Sequence, residues 1–223
     1  MIAESVSSQS LRARLRAVRL YLIMDARPRV TPLEEFLARS IQAGVGMVQL
    51  REKQLNDGEL LVTARRCAAV SRRLGALFVV NDRLDVALAA QADGVHVGQD
   101  DLPIDDIRAL AGEQFIVGLS THSPAQIAHA QSQAADYVGV GPVHETPTKP
   151  GRPAVGLELV RYAAANSDLP FFAIGGLDPG NVADAVAAGA RGISVLRCVT
   201  QAEDPAAIVR ALIDQIPAGG QPE

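Results

Sequence analysis

Short apolar segments alternate along the chain with longer amphipathic segments rich in alanine. Each short segment is apolar or β-branched throughout and is bounded by Gly, Asp or Pro, as is typical of a buried strand. Eight such segments occur, at 20–25, 47–51, 77–82, 94–98, 115–120, 137–141, 171–176 and 193–197. Because each gap has room for one helix, eight strands and their helices in about 200 residues predict a single α/β domain, a (β/α)8 TIM barrel.

The main alternative is an open, doubly wound parallel sheet. A sheet of that kind usually carries a GxGxxG turn after its first strand, whereas residues 25–28 read Asp-Ala-Arg-Pro here. We therefore favour the barrel and expect it to occupy residues 19–216. Residues 1–18 are expected to form an N-terminal extension with a short helix over 10–18, and residues 217–223 a disordered tail.

A weak repeat marks every second junction between a helix and a strand. The related stretches are IQAGVGMVQL, LAAQADGVHVG, AQSQAADYVGVG and VAAGARGISVL, which contain the second, fourth, sixth and eighth strands. Either quarter-barrel units or the same turn chemistry used four times explains them. Both explanations predict the same fold.

Composition and charge narrow the choice of partners. The net charge of −4 and the aromatic content of 4% argue against nucleic-acid binding, which usually needs a basic face and stacking rings. The two cysteines, Cys67 and Cys198, fit no metal motif and, as free thiols, suit a reducing compartment. No apolar run approaches the roughly 20 residues of a membrane helix, and the N-terminus lacks the apolar core of a signal peptide. We therefore expect a cytoplasmic protein without membrane or nucleic-acid partners.

Cationic and amide side chains gather where the strands end, which is where a (β/α)8 barrel carries its chemistry. Period-two alternation points Gln49, Arg51 and Lys53 in one direction after the second strand. Lys149 adds a cation in the loop after the sixth strand. Guanidinium and ammonium groups bind phosphate oxygens, so these residues predict an anion site.

Carboxylates follow the third and fourth strands. Asp82 and Asp101 are oxygen ligands suited to Mg2+, which one or two carboxylates and substrate phosphates usually hold. Asp100 is the alternative ligand, and an N-cap for the next helix is the alternative role of Asp82. After the seventh strand, residues 175–176 are Gly-Gly, before a helix expected to begin near residue 178, and they predict a second phosphate site. Two anion sites suit two phosphorylated small-molecule substrates.

Taken together, seven motifs resemble the thiamine phosphate synthase family between residues 20 and 216. They are Gln-Leu-Arg-Glu-Lys at 49–53, Asn-Asp at 81–82, Gly-Val-His-Val-Gly-Gln-Asp-Asp at 94–101, Gly-Leu-Ser-Thr-His at 118–122, Gly-Val-Gly-Pro at 139–142 with Thr-Pro-Thr-Lys at 146–149, Ala-Ile-Gly-Gly at 173–176 and Gly-Ile-Ser at 192–194. Their order and spacing make the combined resemblance specific.

The resemblance implies a Mg2+-dependent transferase that joins a pyrimidine diphosphate to a carboxylated thiazole phosphate, giving thiamine phosphate, pyrophosphate and CO2 through a pyrimidine carbocation. It implies that Asp82 and Asp101 hold Mg2+. Contacts to the pyrimidine diphosphate fall to Gln49, Leu50, Arg51, Glu52, Lys53, Asn81, Ser120 and Lys149. Contacts to the thiazole phosphate fall to Thr146, Pro147, Thr148, Gly176 and the backbone of Leu196 and Arg197. We expect Arg51, Lys53, Ser120 and Lys149 to stabilise the leaving pyrophosphate.

Two positions depart from the family pattern. Pro147 removes a backbone donor between the two threonines, and Arg197 stands where a small residue such as Ser is expected. His122 is expected to orient its loop, and His96 to be buried packing within its strand. The alternative functions are a thiazole tautomerase of the same fold and a phosphate-ligand sensor without catalysis. A homodimer is a further expectation.

Overall fold

The computed structural model describes residues 10–27, 31–146 and 153–219 of the 223-residue chain. Its strands are β1 (Leu20–Met24), β2 (Met47–Leu50), β3 (Leu77–Asn81), β4 (Gly94–Val97), β5 (Ile116–Thr121), β6 (Tyr137–Val140), β7 (Phe171–Ile174) and β8 (Gly192–Val195). All are parallel and pair in chain order, and β8 pairs with β1 to close the barrel. The predicted (β/α)8 barrel is confirmed.

Helices cover the outside of this barrel. The helices of the described residues are α1 (Leu11–Arg16), α2 (Leu33–Ala43), α3 (Asp57–Leu74), α4 (Leu84–Ala89), α5 (Ile104–Ala111), α6 (Pro124–Ser132), α7 (Gly156–Asn166), α8 (Val182–Ala187), α9 (Arg197–Thr200) and α10 (Pro205–Ile213). None of them is long and apolar enough to cross a membrane. Helix α1 lies within the predicted N-terminal extension. Residues 1–9 of that extension and 220–223 of the predicted disordered tail lie outside the described residues.

The core has two layers, because alternate side chains of each strand point inward and outward. Outward side chains pack under the helices, and inward ones fill the barrel. Tyr21, Tyr137 and Phe172 form the aromatic centre of the inner layer, with ring centroids 5.2–5.8 Å apart in edge-to-face pairs. Leu15 and Val18, from and just after α1, join the same inner layer. Helix α1 therefore closes the N-terminal end of the barrel.

A buried carboxylate fixes α1 to this end. Asp136, just before β6, accepts a hydrogen bond from Arg12 of α1 at 2.6 Å. Its second oxygen accepts from Arg108 and from the backbone N–H of Val117, both at 2.7 Å. The Asp136 side chain is only 4% exposed. Because both of its oxygens accept hydrogen bonds, Asp136 connects α1, the sheet and α5 in one network.

The repeated junctions share one backbone conformation. Gly44, Gln91, Ala134 and Gly189 each lie three residues before their strand, and each has a positive φ, of 130°, 54°, 54° and 105°. A left-handed residue of this kind ends a helix by turning the chain towards the next strand. What recurs in the sequence is therefore a shared turn, used before β2, β4, β6 and β8.

Candidate active site

A cavity of about 370 Å³ opens at the C-terminal ends of the strands. Among the predicted site residues of the described chain, those that line it are Gln49, Arg51, Asn81, Ser120, Thr146, Gly176, Leu196 and Arg197. They come from strands on both sides of the barrel, so one cavity brings together Arg51 of the first predicted anion site and Gly176 of the second. Lys53, Asp82 and Asp101 are not among the residues that line it. Pro147, Thr148 and Lys149 lie outside the described residues.

Successive side chains at the end of β2 and just after it point to different sides of the barrel wall. Gln49 is 1% exposed and points inward, where its amide nitrogen donates to the hydroxyl of Tyr21. Arg51 lines the cavity. The side chain of Leu50 is buried between the barrel and its helices. Period-two alternation explains this split, and any contact between Leu50 and a ligand must come from its backbone.

Glu52 faces its own loop rather than the cavity. Its carboxylate accepts hydrogen bonds from the backbone N–H groups of Ala26 and Gln54, at 3.2 and 2.7 Å. Partial burial acts to raise the pKa of Glu52, but these N–H donors outweigh it and hold the pKa below its usual value. Glu52 therefore orders the loop that follows β2 and stays ionised. Its predicted contact with the pyrimidine substrate has no counterpart in the cavity lining.

Two carboxylates face each other at the mouth of β3 and β4. Burial and the neighbouring Asp101 carboxylate raise the pKa of Asp82, while Lys53 and Arg51 act in the opposite direction. The ammonium of Lys53 lies 3.9 Å from Asp82 and is otherwise exposed. Asp101 accepts the backbone N–H of Gly98 at 2.6 Å. Two like charges brought together beside cations form an arrangement that a divalent cation would neutralise.

Asp82 has an uncommon backbone conformation for this site. Its φ is +59°, a left-handed conformation that costs a non-glycine residue free energy and that Asp and Asn tolerate best. It is not a helix N-cap, because α4 begins at Leu84 after Arg83 and has no side-chain cap. Its N–H donates to the carbonyl of His96 at 2.9 Å. The backbone thus turns the Asp82 carboxylate towards Asp101. Asp100 and Asp101 are both exposed, and of the two it is Asp101 that acts on Asp82.

His96 lines the cavity, although it was expected only to be buried packing within its strand. It is buried, as expected. One ring nitrogen bonds Ser120 at 2.9 Å, and the other bonds Tyr137 at 3.0 Å. Strict alternation from Gly94 places His96 inward, and this signal was available in the sequence. His122 also lines the cavity, and its ring is oriented by the carbonyl of Gly141.

The glycine turn after β7 forms the opposite wall. Gly175 and Gly176 have φ of 109° and 65°, which glycine adopts without strain. The helix predicted to begin near residue 178 is wrong, because Asp178 and Asn181 form a turn and α8 begins only at Val182. The side chain of Asn181 donates to the carbonyl of Gly176 at 2.9 Å. Any anion here would meet loop amides rather than a helix terminus.

Cationic and apolar groups complete this wall. Arg197 lines the cavity and is the first residue of α9, where backbone N–H groups lack helical partners. Ile23, Ile174 and Leu177 supply apolar surface nearby. A ring with phosphate attached fits such a lining, because the ring meets the apolar side chains and the phosphate meets N–H groups and Arg197.

The possible metal ligands at this site are the carboxylates of Asp82 and Asp101. Over the residues described, no group of three or more His, Cys, Asp or Glu side chains is placed to hold a metal ion. A transition-metal site would need such a group. The Asp82–Asp101 pair fits Mg2+ instead, since this ion takes one or two carboxylates and completes its shell with substrate phosphates and water.

Comparison with known proteins places the whole barrel in one family. The family model described as thiamine monophosphate synthase matches residues 20–199. A thiamine-phosphate synthase of Acidothermus cellulolyticus is 50% identical, covering 88% of this chain and 93% of the relative. A thiamine-phosphate synthase of Gloeobacter violaceus is 44% identical over 98% of this chain, which spans only 63% of that relative. The solved structure of thiamine phosphate pyrophosphorylase from Pyrococcus furiosus matches with a TM-score of 0.83 at 32% identity, covering 93% of this chain and 98% of that chain. The chain belongs to the thiamine monophosphate synthase family.

Proposed function

We propose that the chain is a thiamine-phosphate synthase, a transferase that joins 4-amino-2-methyl-5-hydroxymethylpyrimidine diphosphate to carboxylated 4-methyl-5-hydroxyethylthiazole phosphate. The observation that carries the proposal is the single cavity between two anion-binding walls. One wall holds Arg51, with the Asp82–Asp101 pair next to it outside the cavity lining, and the other wall holds the turn at Gly176 and Arg197. β3 and β7 lie opposite each other in the eight-stranded barrel, so two phosphorylated rings can meet between them.

Asp82 and Asp101 would hold Mg2+. The ion would neutralise charge on the diphosphate as it leaves. Arg51 and Lys53 flank the carboxylate pair and add positive charge on the same side. Lys149 is assigned the same task from the sequence alone. Preorganised charges of this kind act most strongly where negative charge grows in the transition state.

The proposed reaction is dissociative. The C–O bond to the diphosphate breaks, and its electron pair leaves with pyrophosphate. The thiazole nitrogen then forms a bond to the resulting pyrimidine-methyl cation, and loss of CO2 from the thiazole carboxylate restores the aromatic ring. Ser120, which lines the cavity, would donate a hydrogen bond to the leaving group, and the apolar side chains Ile23, Ile174 and Leu177 would limit water near the cation.

The thiazole phosphate is expected to be held by the second wall. Gly176, Leu196 and Arg197 line it, together with Thr146 at the edge of the described chain. Pro147 and Thr148 are assigned to the same phosphate from the sequence. Arg197 replaces a small residue of the family pattern, and its exposed guanidinium adds a charge that backbone contacts alone would not supply.

We further place the enzyme in the cytoplasm, where its free thiols stay reduced. Burial raises the pKa of Cys67 to about 12 and that of Cys198 to about 11. Both thiols therefore stay protonated at neutral pH and react slowly. The partners are the two phosphorylated small molecules, and the homodimer stays a prediction that light scattering can check.

The direct test is pyrophosphate release from a mixture of both substrates, with Mg2+ and then with EDTA. We expect release that needs Mg2+ and is matched mole for mole by thiamine phosphate. Isomerised thiazole phosphate without pyrophosphate would identify a tautomerase and contradict the proposal. Tight binding of either substrate without any turnover would contradict it in favour of a sensor.

A further inference from the structure

A continuous chain of hydrogen bonds crosses the barrel interior beneath the cavity. The amide nitrogen of Gln49 donates to the hydroxyl of Tyr21. The hydroxyls of Tyr21 and Tyr137 lie 3.0 Å apart, and that of Tyr137 lies 3.0 Å from Nδ1 of His96. Nε2 of His96 lies 2.9 Å from the hydroxyl of Ser120. Three side chains, those of Tyr21, Tyr137 and His96, thus connect Gln49 and Ser120, which the family resemblance assigns to one substrate.

The two tyrosines of this chain are shielded from water, whereas its other three side chains line the cavity. Tyr21 is 1% exposed and Tyr137 is fully buried, whereas Gln49 and Ser120 line the cavity. Burial raises the pKa of both tyrosines above the usual value for a phenol, so both remain neutral hydroxyls that can donate a proton. Exchange with solvent therefore reaches the chain at Gln49, His96 and Ser120, and not at the two tyrosines between them.

Glycines in the neighbouring strands make room for the chain. A Cβ added at Gly118 would lie 2.1 Å from the ring of Tyr137. A Cβ at Gly139 would lie 3.5 Å from the ring of His96. Gly118 pairs with Tyr137, and Gly139 with Ser120, in adjacent strands. A side chain at Gly118 would therefore displace the ring of Tyr137, whereas a Cβ at Gly139 would only make an ordinary contact with His96.

The direction of the hydrogen bonds is the same along the whole chain, because each hydroxyl has one proton to donate. An anionic diphosphate requires Ser120 to donate to it. Ser120 must then accept from Nε2–H of His96, and Nδ1 of a neutral His96 must accept from Tyr137. The order continues to Tyr21, which accepts from the amide nitrogen of Gln49. In this order the Gln49 oxygen is left to accept an N–H from the ligand.

The opposite order would suit a different ligand. If His96 carried its proton on Nδ1, Ser120 would donate to His96 and could offer only a lone pair to the cavity. Tyr21 would then donate to the oxygen of Gln49, and the Gln49 amide would offer N–H groups instead. The two ends of the chain therefore change together, so that recognition of the ring and recognition of the diphosphate are linked.

We propose that Tyr21, Tyr137 and His96 are positioning residues that couple the two ligand contacts, so that Ser120 donates to a diphosphate when Gln49 accepts from an amino group on the same ligand. The inference rests on the proposed function. It specifies a ligand that carries both groups: an aminopyrimidine with an anionic leaving group. None of the three residues is assigned contact with the reacting atoms.

A double-mutant cycle tests the coupling through steady-state thiamine phosphate formation. Tyr137→Phe keeps the ring and removes the hydroxyl, and we expect it to lower kcat/KM roughly tenfold. Ser120→Ala should cost on the order of 100-fold in the wild type but only about tenfold in the Tyr137→Phe background, because the coupling is already lost. Tyr162→Phe makes the same chemical change on α7, outside the chain, and should leave kcat/KM unchanged. Equal costs of Ser120→Ala in both backgrounds would overturn the coupling.

Tyr21→Phe provides a second variant if Tyr137→Phe does not fold. It interrupts the chain one link earlier and leaves the bonds among Tyr137, His96 and Ser120 in place. In the wild type we expect Gln49→Ala and Ser120→Ala together to cost less than the sum of their separate losses, and in the Tyr21→Phe background we expect the two losses to add. Additive losses from Gln49→Ala and Ser120→Ala in the wild type would contradict the proposal.

Nitrogen-15 NMR of histidine gives a readout that a purely structural role would not move. With Mg2+ and the pyrimidine diphosphate bound, we expect the His96 proton on Nε2, with the signal assigned by its loss in His96→Gln. Gln49→Glu replaces the donor by an acceptor and should move the proton to Nδ1. A proton that stays on Nε2 would overturn the relay. A wild type that shows the expected tautomer yet makes no thiamine phosphate would contradict the proposed function and not the relay.

Discussion

The two ends of the barrel are built on opposite principles. At the N-terminal end, α1 packs its apolar side chains into the barrel, and the Asp136 carboxylate satisfies Arg12, Arg108 and a backbone N–H. At the C-terminal end, Asp82 adopts a left-handed backbone and faces the like charge of Asp101. One end pairs its charges, and the other brings like charges together.

This difference separates the residues that stabilise the fold from the residues that bind ligands. Like-charge pairs and left-handed conformations cost free energy in the empty protein. A ligand that neutralises the charges recovers that cost when it binds. We therefore expect changes at the N-terminal end to alter stability with little effect on turnover, and changes at the C-terminal end to do the reverse.

The largest expected effect is at Asp136. Asp136→Ala leaves Arg108, which is 10% exposed, without its carboxylate, and we expect the free energy of unfolding to fall by about 3–5 kcal/mol. Urea denaturation measures it. Glu158→Ala removes an exposed ion pair with Arg161 and is the matched control, with a cost below about 0.5 kcal/mol. If Asp136→Ala lowers the free energy of unfolding as little as the control does, the contrast between the two ends does not hold.

The next largest effect is a loss of activity when the carboxylates at the C-terminal end of the barrel are changed. We expect Asp82→Asn and Asp101→Asn each to lower kcat/KM by on the order of 10²–10³ without lowering the free energy of unfolding. Asn is preferred to Ala at position 82 because it tolerates the φ of +59°. Asp100→Asn is the control and should keep most of the wild-type rate. Near-normal turnover in both site variants would remove the metal assignment.

The pH dependence of stability distinguishes the two ends more finely. Burial and Asp101 raise the pKa of Asp82 in the folded protein, so its stabilising contribution is complete below the unfolded pKa of about 3.9 and is lost as pH rises through the folded pKa. In EDTA, wild type should therefore lose stability relative to Asp82→Asn across this window, by up to about 1 kcal/mol after solvent screening. Urea denaturation at several pH values measures it. A parallel pH dependence in the two proteins would contradict the charge repulsion.

The smallest effect concerns the shared turn before the even-numbered strands. Ala134 has a φ of 54° at a position where Gly44 and Gly189 stand in the equivalent turns. Ala134→Gly relieves the left-handed strain but adds freedom to the unfolded chain. We expect a net gain of about 0.5 kcal/mol in the free energy of unfolding, measured by urea denaturation, and no change in turnover. A loss of stability would show that this turn is not strained.

Much of the fold could be predicted from the sequence because each strand is a short, largely apolar segment and each gap between strands has room for a helix. The alternation within those strands also contained information about the interior. It places Gln49 inward and Leu50 outward, as the structure has them. The same alternation puts His96 in the layer of Ser120, but a lone histidine in an apolar strand reads equally well as packing.

Other features depend on contacts between segments far apart in sequence. The hydrogen bonds among Tyr21, Tyr137 and His96 join β1, β6 and β4, and no local pattern encodes them. The start of α8 was misjudged because side chains of Asp178 and Asn181 bond neighbouring backbone N–H groups and hold a turn. The φ of Asp82 likewise follows from its bond to the carbonyl of His96 across the sheet.

The most direct test of the central claim is the Mg2+ dependence of thiamine phosphate formation in the wild type and in Asp82→Asn. The claim is that Asp82 and Asp101, at the C-terminal end of the barrel, hold the Mg2+ on which turnover depends. We predict saturable activation of the wild type and at least a tenfold higher half-saturating Mg2+ concentration in the variant, roughly the loss expected when a metal site is weakened. Superimposable activation curves for the two proteins would contradict it.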